Sequence, residues 1–297
     1  MTNDQLTNLL HDQVIILGSF PSGSPEWHEL RNQPGVVSGS EMGAICGSSP
    51  FTSAVTLWAE KTGRIDRDFV GSDAMRLGQL VEPAIRQLYI EKHPTHQVYE
   101  VNETLTRKGF EWGHANLDGI GINEHGEQYI IEIKHTSQYW DEIPLHYKQQ
   151  VLWYMFVTGI RKSVFAVVNG GRYKEYEFDY DAFEFGLLWD RVLTFRNRLL
   201  ENTQPDWDGS ESTYDTTRKL VDGLESRDEE LGQLGVELFN AQDAFDEAEA
   251  HLREMKSRTV AALNGAKNGV INGKLVCSLQ QRAGGLPYLT IKKATKK

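Results

Sequence analysis

The tripeptide Glu132-Ile133-Lys134, read together with Asp118, constrains this chain more than any other feature. It closes the run Tyr129-Ile130-Ile131-Glu132-Ile133-Lys134, whose composition is that of a strand. Residues two apart in a strand share a face, so the carboxylate and the ammonium project together, flanked by Ile131 and Ile133. Asp118 precedes a turn signal, Asn123-Glu124-His125-Gly126, which folds the Asp118 strand back beside the Glu132 strand. Two carboxylates and a lysine then meet at one point. Hard cations such as magnesium take oxygen ligands of this kind. A lysine beside the ion orients or deprotonates an attacking water.

Two helices are expected around this point. The first runs from Met75 to His93, with Leu77, Leu80, Val81, Ala84, Ile85 and Leu88 on one side. Glu82 falls within that apolar neighbourhood, where a carboxylate costs free energy unless it is paired or metal-bound. The second begins at Pro144, with Asp141 and Glu142 just ahead, and runs to Val157, ended by Gly159. Tyr147, Gln150 and Tyr154 recur on one of its faces. His114 lies four before Asp118; if Trp112 to Ile122 is one strand the two share a face, although a packed histidine is the plainer reading.

The remaining segments read in order. Met1 to Ser24 is a weakly ordered lead-in, followed by a short helix over Trp27 to Arg31. A helix through Ile45 is capped by Ser40, and its backbone N–H groups attract phosphate. Ser53 to Thr62 is helical with Trp58 buried. Gln97 to Val101 and Thr104 to Thr106 are strands, and Ser163 to Val168 and Tyr173 to Phe178 form a hairpin. Asp181 to Leu200 is an amphipathic helix, and Asn202 to Ser212 is a linker. Beyond it, Leu224, Leu231, Leu238, Phe245 and Leu252 recur every seven residues, with Leu234, Ala241, Ala248 and Met255 three later. That is an a/d seam weakened at its start by Gly232 and Gly235. Gly269 to Lys293 reads as a small hairpin with a basic tip. Two domains follow: 1–205 around the acidic site, and 206–297 as an accessory helical segment with a basic β tail.

Charge follows the same division. The net charge of −11 is made of −9 over residues 1–205, −11 over 206–250 and +9 over 251–297. A negative total does not exclude nucleic acid, because affinity depends on the field at the groove. Two cysteines, Cys46 and Cys277, exclude a disulfide framework and a four-cysteine iron–sulfur cluster. The polar start lacks a signal-peptide pattern, and no run of about 18 apolar residues occurs, so no membrane span and a cytoplasmic location are expected.

Asp118 with Glu132-Ile133-Lys134 fits the D-(E)xK signature of the PD-(D/E)xK nucleases. With Ser38-Gly39-Ser40, Gly78-Gln79-Leu80-Val81-Glu82-Pro83, Pro144, Tyr147 and Gln150, the stretch from about Trp27 to Leu200 resembles the YqaJ-type viral recombinases, relatives of phage lambda exonuclease. The resemblance implies an α/β, restriction-endonuclease-like core, a mixed central sheet flanked by helices. It implies a magnesium-dependent double-strand DNA exonuclease, with manganese as substitute, working 5′ to 3′ to leave single-stranded tails for recombination. Asp118, Glu132 and the carbonyl of Ile133, with Glu82, would hold metal; Lys134 would activate water, and Glu82 and Gln150 would support. Arg31, Ser40, Asn116 and Tyr147 would meet DNA, with Arg31 and Ser40 on the 5′ phosphate. The implied partners are duplex DNA ends, a single-strand annealing recombinase and further copies of the chain, a ring-shaped trimer being favoured. An endonuclease on the same fold, and a non-catalytic DNA-end or protein-binding module, are the alternatives.

Overall fold

A computed structural model describes residues 3–21, 23–66 and 73–292. It divides into two compact units, residues 1–224 and 225–297.

The first unit opens with helix α1 (Asn3–Leu9) and strand β1 (Val14–Ser19). The expected loose lead-in is therefore structured, because Leu6 and Leu10 are buried in the core and β1 pairs with β4 (Glu103–Arg107). Next come α2 (Pro25–Arg31), β2 (Val37–Ser38), a 3-10 turn (Gly39–Glu41), α3 (Met42–Ile45) and α4 (Ala54–Lys61). Then follow α5 (Asp73–Lys92), β3 (Gln97–Glu100), β4, β5 (Phe110–Ala115), β6 (Gly119–Ile122) and β7 (Gln128–Thr136). The unit ends with α6 (Leu145–Thr158), β8 (Lys162–Asn169), β9 (Arg172–Asp179), α7 (Ala182–Leu200) and α8 (Glu211–Lys219).

Its strands form two sheets, ordered β1-β4-β5-β2 and β3-β6-β7-β8-β9. The expected single strand over Trp112 to Ile122 is broken at Asn116–Asp118, which sends β5 and β6 to different sheets. Gly119 permits the change: a Cβ there would lie 2.8 Å from the Tyr99 carbonyl oxygen of the neighbouring β3. The five-stranded sheet is mixed. β6 and β7 are antiparallel, while β7 and β8 are parallel and joined through α6. Alternation along β7 sends Tyr129, Ile131 and Ile133 into a cluster with Ile85 and Tyr89 of α5. Ile130 joins the larger core with Val151, Leu152 and Met155 of α6. One helix thus covers each face, the arrangement of a restriction-endonuclease-like core. On α5 only the turns carrying Val81, Ile85 and Tyr89 rest on the sheet, and Leu77 and Leu80 are exposed, contrary to the stripe expected for them.

Two local readings shift. The 3-10 turn is capped at Ser38, whose N–H donates to the Glu41 carboxylate at 2.9 Å; Ser40 lies inside the turn. The linker expected up to Ser212 ends earlier, where Ser210 caps α8. There Thr213 donates to Ser53 at 2.8 Å, and the Thr56 hydroxyl lies 2.8 Å from that of Thr216, so α8 belongs to the first unit.

The second unit holds α9 (Gln233–Leu263) and a sheet of β10 (Asn268–Ile271), β11 (Lys274–Gln280) and β12 (Tyr288–Ile291). Gly232 caps α9, which leaves Leu224 and Leu231 of the heptad pattern outside the helix. The expected hairpin gains a third strand, and residues 293–297 of the basic tail lie outside the described residues. Among the described residues no helix is long and apolar enough to cross a membrane.

Candidate active site

The β6–β7 hairpin brings Asp118 to Glu132-Ile133-Lys134. Asn123 closes it: its backbone N–H donates to Glu127 at 3.0 Å and its carbonyl accepts from Gly126 at 2.9 Å. With Gly119 opposite Ile131, Asp118 falls beside Ile133, whose N–H donates to Asp118 Oδ2 at 2.7 Å. Glu132 and Lys134 lie on the α6 face, as the strand period requires. Lys134 Nζ reaches Glu132 Oε1 at 2.5 Å and stands 5.0 Å above the Tyr147 ring. Gln150 Nε2 also donates to Glu132 Oε1, at 2.8 Å, and to the Tyr154 hydroxyl at 2.8 Å. Gln150 therefore holds the carboxylate itself. α6 starts with Pro144 at its cap and ends at Gly159 in the left-handed region, φ 81°.

Glu82 approaches from α5, on the opposite side of the sheet. Arg86, one turn on, donates to Glu82 Oε1 at 2.6 Å, to the Asp118 carbonyl at 3.2 Å and to Glu100 at 2.9 Å. This arginine was missed in the sequence, although its spacing of four from Glu82 is the signal for a helical ion pair.

Glu132 is 1% exposed, and its Oε2 is buried without a hydrogen-bond partner. Burial and then the charge of Asp118 push its carboxyl well above the usual carboxylate range. Burial and Asp118 also raise Glu82, against the pull of Arg86. For Lys134, burial disfavours the ammonium, but Glu132 and Asp118 together outweigh it and hold the group protonated. An orphaned, buried carboxylate oxygen beside a second carboxylate is a demand for a cation. Among the described residues no three His, Cys, Asp or Glu side chains converge as a closed metal cage. The donor set still suits a magnesium-like ion, which is held through one or two carboxylates with water and substrate phosphate completing the shell. Asp118 and Glu132 with the Ile133 carbonyl fit that class, and Glu82 stands behind them, tied to Arg86.

A second charged cluster forms around the 3-10 turn. Arg31, 5% exposed, donates to Ser40 Oγ at 2.8 Å and Glu41 Oε1 at 3.1 Å, and stacks 4.2 Å over Trp27. Lys61 Nζ meets the same Glu41 oxygen at 3.1 Å and donates to the Arg31 carbonyl at 2.8 Å. Glu41 and Lys61 were not singled out in the sequence; Glu41 was visible as the residue three after Ser38. His114, from β5, joins this cluster and not the Asp118 site. Burial lowers its pKa to about 4, and its Nε2 lies 3.1 Å from the Glu111 carbonyl. Asn116 donates to Thr104 Oγ1 at 2.8 Å, and Tyr147 packs on Trp140 with centroids 5.2 Å apart. α6 links the two clusters: Tyr154 lies against Gly39, where a Cβ would sit 2.2 Å from its ring.

Residues 26–161 match the family described as the YqaJ-like viral recombinase domain. Over 262 residues the chain is 25% identical to the uncharacterized protein YqaJ of Bacillus subtilis strain 168, covering 81% of this chain and 79% of that one. Solved structures of similar fold include an alkaline exonuclease from Laribacter hongkongensis (20% identity, 66% of this chain, 97% of that one, TM-score 0.48). Another is a phage related exonuclease from Haemophilus somnus (11% identity, 56% and 96% covered, TM-score 0.43).

Proposed function

We propose that this protein is a metal-dependent exonuclease acting on double-stranded DNA ends in recombination, with magnesium as its ion and single-stranded tails as its product. The observation that carries the reading is the meeting of Asp118, Glu132 and Lys134 around a buried carboxylate oxygen that has no partner. Magnesium bound there would polarise a phosphodiester and lower the pKa of a water. The chain's own groups do the rest. Gln150 fixes the Glu132 carboxylate by donating to one oxygen and leaves the other for the ion. Asp118 is fixed by the Ile133 N–H. Lys134, held protonated, donates to the attacking water and meets charge growing on the phosphate. Arg86 holds Glu82 against the Asp118 main chain and keeps the loop in place.

In this reading Arg31 and Ser40 receive a 5′-terminal phosphate, supported by a buried cluster with two cations against Glu41 and a neutral His114. That orientation gives digestion from 5′ to 3′. The family's recombinase character supports pairing with a strand-annealing protein. The test is digestion of 5′-phosphorylated linear duplex beside a closed circle of the same sequence, with and without magnesium. Magnesium-dependent release of nucleotides from the linear form alone is expected. Cutting of the circle would mark an endonuclease, and no cutting of either would leave a binding module.

A further inference from the structure

Among the described residues of the second unit, none covers the apolar seam of its long helix. α9 is 31 residues long, and within its own unit none of its side chains is buried. Leu234, Leu238 and Phe245 are each 63% exposed, with Leu252 and Met255 at 45% and 40%. Helices in water draw most of their stability from packing one face, so a long helix with a bare heptad seam calls for a cover.

Two sequence properties of the helix identify that cover. The first is charge polarity. Between Val236 and Glu249 it carries five carboxylates and no lysine or arginine; between Ala250 and Leu263 it carries Arg253, Lys256 and Arg258 against one carboxylate, Glu254. Parallel pairing with a second copy sets acidic half beside acidic half. Antiparallel pairing sets the start of the helix, with Glu237, beside the basic stretch Arg253 to Arg258 of the other copy. The second is side-chain size. With Leu238, Phe245 and Leu252 at a and Ala241, Ala248 and Met255 at d, antiparallel helices stack a against d. In the register that centres the pair between Asp246 and Glu247, Phe245 meets Ala248 of the second copy, Leu252 meets Ala241 and Leu238 meets Met255. Two of these three layers then set a large side chain against an alanine, the pairing that close packing favours. The same register brings Glu237 beside Arg258 of the second copy on the flank. Arg258 now reaches Glu254 one turn back at 3.2 Å, on a surface where both side chains are free to exchange partners. Sliding the register by one heptad toward the C-terminus instead puts Glu249 against its own copy, and sliding it toward the N-terminus exchanges Arg258 for His251 beside Glu237.

We propose that α9 is a self-pairing surface that takes α9 of a second copy of this chain, antiparallel, in the register Leu238 to Met255. The surface joins chains two at a time, and its test is independent of any nuclease activity.

The experiment uses the full-length chain. Leu238→Cys and Met255→Cys proteins are prepared separately, mixed under mild oxidation, and the linked peptides are identified by mass. A 238–255 link between chains, at least about tenfold over 238–238 and 255–255 links, is expected. Native Cys46 and Cys277 stay in place, since peptide masses distinguish them. Homotypic links as the main product would overturn the proposal in favour of a parallel bundle, and the absence of inter-chain links through either position would overturn it outright. A second arm reads the charges: Arg258→Glu should weaken self-association about tenfold, from two reversed ion pairs per dimer. Adding Glu237→Arg should restore it to within about twofold. A double variant as weak as the single one would reject the register.

Discussion

The two charged clusters of the first unit are built from similar parts, but only one of them leaves a carboxylate oxygen without a partner. Around β7, Asp118, Glu132 and Glu82 face Lys134 and Arg86, and the buried atoms left over are a carboxylate oxygen, Glu132 Oε2, and a guanidinium nitrogen, Arg86 Nε. Around the 3-10 turn, Arg31 and Lys61 face Glu41, and the buried atoms left over include a guanidinium nitrogen, Arg31 Nε, and the Ser38 hydroxyl. Buried polar atoms without partners are costly and uncommon. On the proposed assignment, Glu132 Oε2 is left for a metal ion, while Arg31 Nε and the Ser38 hydroxyl belong to the cluster that would receive a phosphate.

The largest test of this contrast is at the carboxylate. Glu132→Gln, like Asp118→Asn, should reduce hydrolysis to background. Glu132→Gln relieves a carboxyl that burial and Asp118 disfavour but leaves the Lys134 ammonium without that partner, so the two effects offset and the melting temperature should shift by no more than a few degrees, about 2–4 °C per kcal/mol. Activity near that of the parent, or a collapse in stability, would break the assignment. Lys134→Ala should cost about 10²–10⁴ in turnover while DNA binding persists. It also strips a buried carboxylate of its partner, at a cost of about 3–5 kcal/mol. The pair Lys134→Met with Glu132→Gln should recover most of that stability, measured by denaturant unfolding, and no activity.

At the other cluster the expected effects are smaller. The parent should digest 5′-phosphorylated ends faster than 5′-hydroxyl ends, and Arg31→Ala should remove the preference while retaining cleavage. Equal rates on both ends in the parent would leave Arg31 with a packing role alone. The smallest effect is on stability against pH. His114 titrates at about 4 when folded and near 6.5 when unfolded, so the unfolded chain binds more protons between those values. Its contribution, of order 3 kcal/mol, is complete above about pH 6.5 and is lost as pH falls toward 4. His114→Gln should flatten the melting temperature over that window; an unchanged pH profile would show that His114 is solvated.

The hairpin that joins Asp118 to Glu132 was legible because every part of it is local: a two-residue strand period and an Asn-to-Gly turn. The same holds for α6, whose Pro144 and Gly159 mark both ends. What sequence could not give was decided at long range. Whether β5 and β6 are one strand depends on how closely β3 approaches Gly119, and that contact has no local signal. His114 moved to another cluster for this reason. Leu77 and Leu80 kept helical spacing yet remained exposed, because periodicity reports a face and not how far the sheet beneath it extends. The segment at Glu211 read as linker since its polar residues resemble loop chemistry; they are hydroxyls bonded to Ser53 and Thr56.

Tyr154 touches both clusters at once, its ring on Gly39 and its hydroxyl on Gln150, which in turn grips Glu132. A rigid ring bridging the two places sets the span between them as a ruler does. On the proposed assignment, one end of that ruler holds the terminus of a strand and the other marks the bond to be cut. The length of the released fragment is then a property of a tyrosine lying on a glycine. Gly39→Ala, which drives a methyl group into that ring, should change the size of the product as well as the speed of its release.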